Sequence, residues 1–441
     1  MLEKFQRIKH FLKSLGGGMI KEYLSKNQFA KNVITLMTGT AVAQAIPIAI
    51  TPILTRLYTP DDFGLLALFI SLSTIFSSVA CGRYELAIML PQKDSDAINI
   101  ASIGLIITTS LSLLLLIPII LFNEEIVNLL GNKQIGVWLY ILPVSVFLMG
   151  FFNVLNYLNI RSKLYKDIAK ANIYKSVGLA SIQLSLGSLK AGVTGLISGQ
   201  VISQILANYQ LVKNVRVNYK FHNIRVSEII RLSKRYSDFP KYSVWAVLAN
   251  TLSYNLTNIL ISLYYGITTL GFYSLGQRLL SAPTALIGAS IGQVFFQEAN
   301  DEKNKTGSAI NTYDLTSKKL VVISLLFFVP LYPLLPIGFE FFFGLGWGVA
   351  GEYAQIILPL VAVQFVVAAV TTVNSIFEKQ LISLIWQVIL LFIAMSCIII
   401  SYYFNLEFSF FLHIFCISLS LHYVILWFIL RSVALGNKEN I

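Results

Sequence analysis

Apolar residues recur along this chain in stretches of about twenty, the length a helix needs to cross a hydrocarbon core. Twelve such stretches lie near residues 33–55, 63–82, 98–122, 137–159, 172–189, 193–212, 242–264, 270–293, 315–336, 354–376, 381–403 and 409–430. The fifth and sixth are joined by only Leu189, Lys190, Ala191 and Gly192. Charged residues make up 12% of the chain, against about 25% in a soluble domain. That scarcity runs the whole length, so no sizeable soluble domain is expected. The fold class expected is an all-α polytopic membrane protein.

The net charge of +12 raises nucleic acid as a partner, but its placement argues against one. Of the 33 Lys and Arg, 29 fall in the N-terminal segment, the C-terminal tail, or the even-numbered loops and their flanks. The odd-numbered loops hold Arg56, Lys133 and Lys190, and Arg278 lies inside a stretch. Short Lys/Arg-rich loops stay in the cytoplasm, so both termini are expected there, as an even number of crossings requires. The basic loops also attract anionic lipid head groups.

Residues 1–32 carry seven Lys or Arg with Phe5, Ile8, Leu12 and Leu15 at helical spacing. A cytoplasmic basic amphipathic segment is expected there, and Met19 is an alternative start. The remaining division expected is a six-helix bundle over 33–212, a cytoplasmic linker over 213–241, a second six-helix bundle over 242–430, and a cytoplasmic tail over 431–441. Within the linker, Ser227 and Glu228 open a short helix with Ile229, Ile230 and Leu232 on one face, ended before Pro240. A faint repeat relates Leu57-Tyr58 and Phe63-Gly64 to Tyr264-Tyr265 and Leu270-Gly271 at a constant offset of 207. Six crossings per copy keep the copies parallel. Transporters built from repeats bind between them, near the bilayer midplane. The longest odd-numbered loop, over 337–353, holds aromatic residues including Trp347 and reads as an interfacial belt. Cys81, Cys397 and Cys416 sit in apolar runs and read as buried hydrophobes, and the four histidines show no metal spacing.

The seventh and eighth stretches break the apolar rule. They hold Asn250, Asn255, Asn258, Gln277, Arg278 and Gln293. Such groups are costly in lipid and face protein or water, which is the pattern of a transport path.

Several runs in order resemble one family: LTRLYTPDDFGLLALF from Leu54, GRYELAIMLPQKDSDA from Gly82, DFPKYS from Asp238, GFYSLGQRLLSAP from Gly271 and IGASIGQVFF from Ile287. Together they resemble the O-antigen and exopolysaccharide flippases of the multidrug, oligosaccharidyl-lipid and polysaccharide exporter superfamily. The resemblance runs from about residue 30 to 430, the last four crossings by hydropathy more than by motif. It implies two six-helix bundles in a V around a central cavity, working by alternating access in a bacterial inner membrane. The implied substrate is an undecaprenyl-pyrophosphate-linked oligosaccharide. The implied driving force is a proton or sodium gradient, and polysaccharide polymerase machinery is an implied partner. No cofactor is implied.

The chemistry of that substrate singles out residues. Arg presents a planar fork of donors to phosphate oxygens, and amides exchange hydrogen bonds with sugar hydroxyls. Arg278 is the sharpest candidate, with snorkelling or an interhelix hydrogen bond as the alternatives. Gln277 precedes it and is expected to face elsewhere on the helix. Asn255 and Asn258, three apart, share a face that excludes Asn250. Interhelix bonding is their alternative. Arg56 beside Asp61 and Asp62 reads as substrate contact, salt bridge or exit-side gate. Arg83 reads as an entry contact or as a partner of Glu85. Lys175 reads as a cavity cation or a snorkelling one. Gln44 and Pro47 suggest a bend in the first crossing, and Glu378 is a candidate ion-coupling carboxylate.

Two other functions compete. Export of cationic drugs favours a carboxylate buried in the first bundle, yet Asp61, Asp62, Glu85 and Asp94 all sit at crossing ends. A membrane polymerase or ligase needs a sizeable outer loop with converging Arg, His or acidic residues, and the outer loops are too short. The chain is expected not to be an enzyme.

Overall fold

The computed structural model describes residues 28–219 and 224–436. The expected basic segment over 1–32 lies outside it apart from its last residues. His10, His222 and the end of the expected tail also lie outside.

Twelve helices of twenty or more residues run through the described chain, at the places the apolar stretches mark. They are α1 (Gln28–Leu57), α2 (Pro60–Val79), α3 (Asp94–Leu121), α4 (Leu142–Arg161), α5 (Tyr165–Ser188) and α6 (Val193–Asn218). After the connecting helix Val226–Arg235 come α7 (Val244–Tyr265), α8 (Ile267–Thr306), α9 (Ile310–Leu331), α10 (Gly348–Val370), α11 (Gln380–Tyr403) and α12 (Phe408–Ala434). Among the described residues, nine helical stretches are long and apolar enough to cross a membrane. Those of α5, α6 and α7 are not among the nine, because polar side chains dilute them.

Local chemistry sets the boundaries. At the α1–α2 corner, Thr59 and Asp62 cap each other's backbone N–H, and Pro60 takes the first helical position. Pro47 and Pro52 both lie inside the continuous α1, where the Thr51 hydroxyl donates to the Pro47 carbonyl. The eighth helix runs past the expected end at 293, to 40 residues, about 60 Å at 1.5 Å per residue. Residues 294–306 contain no Gly or Pro to stop it, and Gly307 ends it in the left-handed region. Glu302 on this extension accepts the backbone N–H groups of Asn311 and Thr312 at the start of α9. Likewise α12 continues to Ala434, where Arg431 grips Asp314 of α9 with two hydrogen bonds of 2.8 Å. The connecting helix packs on α3 and buries Leu232, but Ile230 faces outward, unlike the expected common face.

Packing repeats between the halves. In the first, α1 packs on α5, α5 on α6, α6 on α4, and α4 on both α2 and α3. In the second, α7 packs on α11, α11 on α12, α12 on α10, and α10 on both α8 and α9. Each of these first-half pairs has its counterpart six helices on. The 207-residue offset reappears in atomic detail. Asp61 accepts a hydrogen bond from Thr268, its own repeat mate. A Cβ on Gly64 would overlap the Ile267 carbonyl, and one on Gly271 would overlap the Pro60 carbonyl. The paired glycines let α2 and α8 cross backbone to backbone.

Contacts between the halves gather at the end of the molecule that carries Arg56. The Arg56 guanidinium donates to the Phe342 carbonyl at 3.0 Å, and Trp347 Nε1 donates to the Thr55 carbonyl at 3.0 Å. Trp347 is 4% exposed and meets Phe63 and Phe272 edge to face. The loop expected as a lipid-facing belt thus sends its tryptophan inward as a clasp, while Phe341 and Leu345 remain exposed. The symmetry is imperfect: α2 packs closely on α7, whereas the equivalent seam between α8 and α1 is sparsely filled.

Candidate functional site

Below this clasp a cavity of about 320 Å³ opens between the halves. Helix α2 supplies one wall, with Phe63, Ile70 and Ser71. The other wall comes from α7 and α8, with Asn255, Asn258, Gln277 and Arg278. Asn255 and Asn258 reach it together because three residues bring side chains to one helix face.

The amides are partly satisfied. Asn258 donates to the Ser71 hydroxyl at 3.0 Å, across the gap between halves, while its Oδ1 is buried without a partner. Asn255 donates to its own helix, at the Thr251 carbonyl. Arg278 makes no hydrogen bond or ion pair with any described residue. An arginine at the centre of a bilayer costs about 2.5–3.5 kcal/mol on insertion scales, so an unpaired one in a cavity wall is poised for water or an anion. The lining contains this cation and no carboxylate. Among the described residues, no group of His, Cys, Asp or Glu could hold a metal ion.

Gln277 also lines this cavity, although adjacent residues on a helix point apart. It does so because a second cavity lies on the other flank of α8, and Gln277 forms part of the wall between them.

The other candidate cations line neither cavity. Arg56 is exposed and holds the Pro52 and Phe342 carbonyls. Arg83 adopts a left-handed backbone and pairs with the buried Glu85 at 3.2 Å. Burial raises the Glu85 carboxyl above its ordinary range, against the opposing pull of Arg83. Lys175 rests over the Phe152 ring, its nitrogen 5.7 Å from the centroid, inside the first half. Glu378 is exposed beside Lys379, in a left-handed turn away from both cavities. Sequence reasoning passed over Ser71, Ser274 and Ser281 in the lining. Hydroxyls hide well in helices, where they bond backbone carbonyls; that Ser71 meets an amide 187 residues away has no local signal.

Three comparisons place this geometry among known proteins. Residues 53–350 match the family model described as polysaccharide biosynthesis protein. The succinoglycan biosynthesis transport protein ExoT of Rhizobium meliloti (strain 1021) is 23% identical over 248 residues. That alignment covers 56% of this chain and 48% of that protein, so the chain spans about half the length of this relative. Among solved structures, the lipid II flippase MurJ in an inward closed conformation superposes with a TM-score of 0.67 at 14% identity, over 90% of this chain and 86% of that one. A mutant of VcmN, a Vibrio cholerae MATE transporter, gives 0.56 at 12% identity, over 95% and 97%. A MOP superfamily transporter from Pyrococcus furiosus, described as having a binding pocket of reverse polarity, gives 0.53 at 15%, over 91% and 95%. At these identities the structures speak for the fold, while the family model covers more than half of the sequence. The chain belongs to the polysaccharide biosynthesis protein family and has the all-α polytopic membrane fold of the MATE transporters and MurJ.

Proposed function

We propose that this protein is a flippase that moves an undecaprenyl-pyrophosphate-linked oligosaccharide across the bacterial inner membrane, for O-antigen, capsule or exopolysaccharide synthesis. The observation that carries the reading is Arg278: an unpaired guanidinium in a cavity between two repeat-related halves, with amides beside it and no acid in the lining. Unaided, the charged head group would have to desolvate in hydrocarbon, at a cost of many kcal/mol. Here Arg278 meets the pyrophosphate, while Asn255, Asn258 and Gln277 offer hydrogen bonds to sugar hydroxyls. The sparsely filled seam between α1 and α8 leaves the polyprenyl tail a lateral path in lipid. Both termini lie in the cytoplasm, on the side of the Lys/Arg-rich loops.

In the proposed cycle, the contacts at the Arg56 end hold that side shut while substrate enters from the cytoplasm. Their release, with closure at the basic end, exposes the cavity to the outer side. A proton or sodium gradient drives the return, and polysaccharide polymerase machinery receives the product. Arg56, Arg83 and Lys175 serve the scaffold in this reading. A cationic drug would need an acid in the cavity, and the lining has none, which disfavours the exporter alternative.

The test is the amount and sidedness of the lipid-linked intermediate in a deletion strain complemented with wild type or Arg278→Ala, at matched membrane levels. A charge-assisted hydrogen bond contributes about 1.5–3 kcal/mol, so flipping should fall roughly 10- to 150-fold in the variant, with intermediate stranded on the inner face. Intermediate found mainly outside and unpolymerised would overturn the flippase reading in favour of a polymerase or ligase.

A further inference from the structure

The second cavity, on the far flank of α8, measures about 370 Å³ and lies wholly within the second half. Helices α7, α8, α10 and α12 enclose it, with α11 adding Leu390. It shares Gln277 and Ser281 with the Arg278 cavity. Its size is at the lower end of small-ligand pockets, roughly 300–1,000 Å³.

Its chemistry differs from that of its neighbour. No charged side chain lines it. Its walls combine aromatic rings, among them Tyr254, Tyr273 and Tyr423, with hydroxyls and amides. The Tyr254 and Tyr423 hydroxyls bond each other at 2.9 Å, and the Gln364 side chain lies beside Tyr423 in the same wall. Tyr273 and Gln277 make no hydrogen bond with any described residue. An anion would find no counter-charge here, and a cation no carboxylate. Hydrocarbon would strand the free hydroxyl and amide. A neutral sugar satisfies both needs: its hydroxyls exchange hydrogen bonds with amides and phenols, and its C–H faces lie on aromatic rings.

We infer that this chamber seats the neutral sugar joined directly to the phosphate that Arg278 holds, with Gln277 bonding a ring hydroxyl at the partition. The inference rests on the flippase reading. The connectivity of the substrate fits the arrangement, because that sugar is one glycosyl-phosphate bond from the charge and Gln277 is one residue from Arg278. The Arg278 cavity then holds the charge, with Asn255 and Asn258 offered to sugars further along the glycan, and the second chamber discriminates at the phosphate-linked sugar.

The test uses the full-length protein in lipid nanodiscs and three probes: undecaprenyl pyrophosphate, the same lipid carrying one glucose, and the same lipid carrying one glucuronic acid. Glucose should tighten binding at least tenfold over the bare pyrophosphate, and glucuronic acid should not. Thr257→Leu, which narrows the chamber and removes a hydroxyl from its wall, should cut the glucose increment at least threefold and leave the bare lipid unaffected. Arg278→Gln should weaken all three. Should Thr257→Leu fail to fold, Tyr423→Phe and Gln277→Met replace it, each cutting the increment at least threefold. Equal binding of glucosylated and bare lipid by wild type, with both dependent on Arg278, would overturn the sugar chamber and leave the flippase reading intact. So would an increment from glucuronic acid equal to that from glucose. Binding independent of Arg278 would overturn the flippase reading, and this inference with it.

Discussion

Replacing Gly271 by alanine should loosen the Arg56 end of the molecule without touching the cavity. The new Cβ would overlap the Pro60 carbonyl, with the Gly64 nitrogen only 3.1 Å away, so the obstruction is backbone and cannot rotate aside. Restoring an ordinary C···O separation of roughly 3.4 Å requires α2 and α8 to part by more than an ångström. Overpacking of this kind costs about 1–3 kcal/mol. If the halves part at this end during transport, the penalty falls on the closed state alone. At 1.4 kcal/mol per tenfold, the closed-to-open ratio shifts about 5- to 150-fold. Spin labels at Leu129→Cys and Leu345→Cys, both highly exposed sites on opposite halves, report the separation. The native cysteines are all buried and should label poorly. Gly271→Ala should lengthen the distance distribution, and Gly64→Ala should do the same through the Ile267 carbonyl. Gly288→Ala, on the same helix with open space at its Cβ, is the control. Distance distributions unchanged by both crossing-point variants would refute the reasoning.

Asp61→Ala and Thr268→Val should each weaken the closed end, with a coupling of about 0.5–1.5 kcal/mol in a double-mutant cycle on the same distance readout; additive effects would mean the bond does nothing there. Trp347→Phe removes the donor to the Thr55 carbonyl and should cost about 1–3 kcal/mol, read as a lower thermal midpoint in detergent; an unchanged midpoint would reassign the clasp to the aromatic packing. Burial raises the Glu85 carboxyl, so the folded protein holds that proton to higher pH than the unfolded chain. Its contribution is therefore most favourable at low pH and declines as pH rises from the ordinary carboxylate range through the raised value. Glu85→Gln should flatten that decline in thermal stability; identical pH slopes for variant and wild type would dismiss Glu85 as its source.

The helices were legible in the sequence because apolar length is a local signal: each needs only its own twenty residues. The pairing of Asn255 with Asn258 was legible for a similar reason, since helical spacing alone gives a shared face. Arg278 announced itself by its cost. Arg56, Arg83 and Lys175 carry the same charge, yet a carbonyl 286 residues away, a buried Glu85 and the Phe152 ring occupy them. No composition rule distinguishes an occupied cation from a free one. Gln277 was legible only in part, because helical geometry says which way a side chain points, not whether both flanks of the helix are hollow. Trp347 looked like a membrane anchor because an aromatic residue near a crossing end has the same local pattern whether lipid or the other half of the protein lies opposite.

The dilution of α7 by polar residues bears on how the chain enters the membrane at all. Asn255 and Asn258, which face the cavity, are among the residues that leave this helix less apolar than most of the other crossings. The polar face of α7 has a partner in α2, which precedes it in the chain and whose Ser71 accepts from Asn258. Helices α5 and α6, also short of apolarity, are consecutive and joined by a four-residue turn, so they can insert as a hairpin. The amides that line the cavity are thus the same side chains that lower the apolarity of α7, so a change that strips the lining of amides also raises that helix's own tendency to enter lipid.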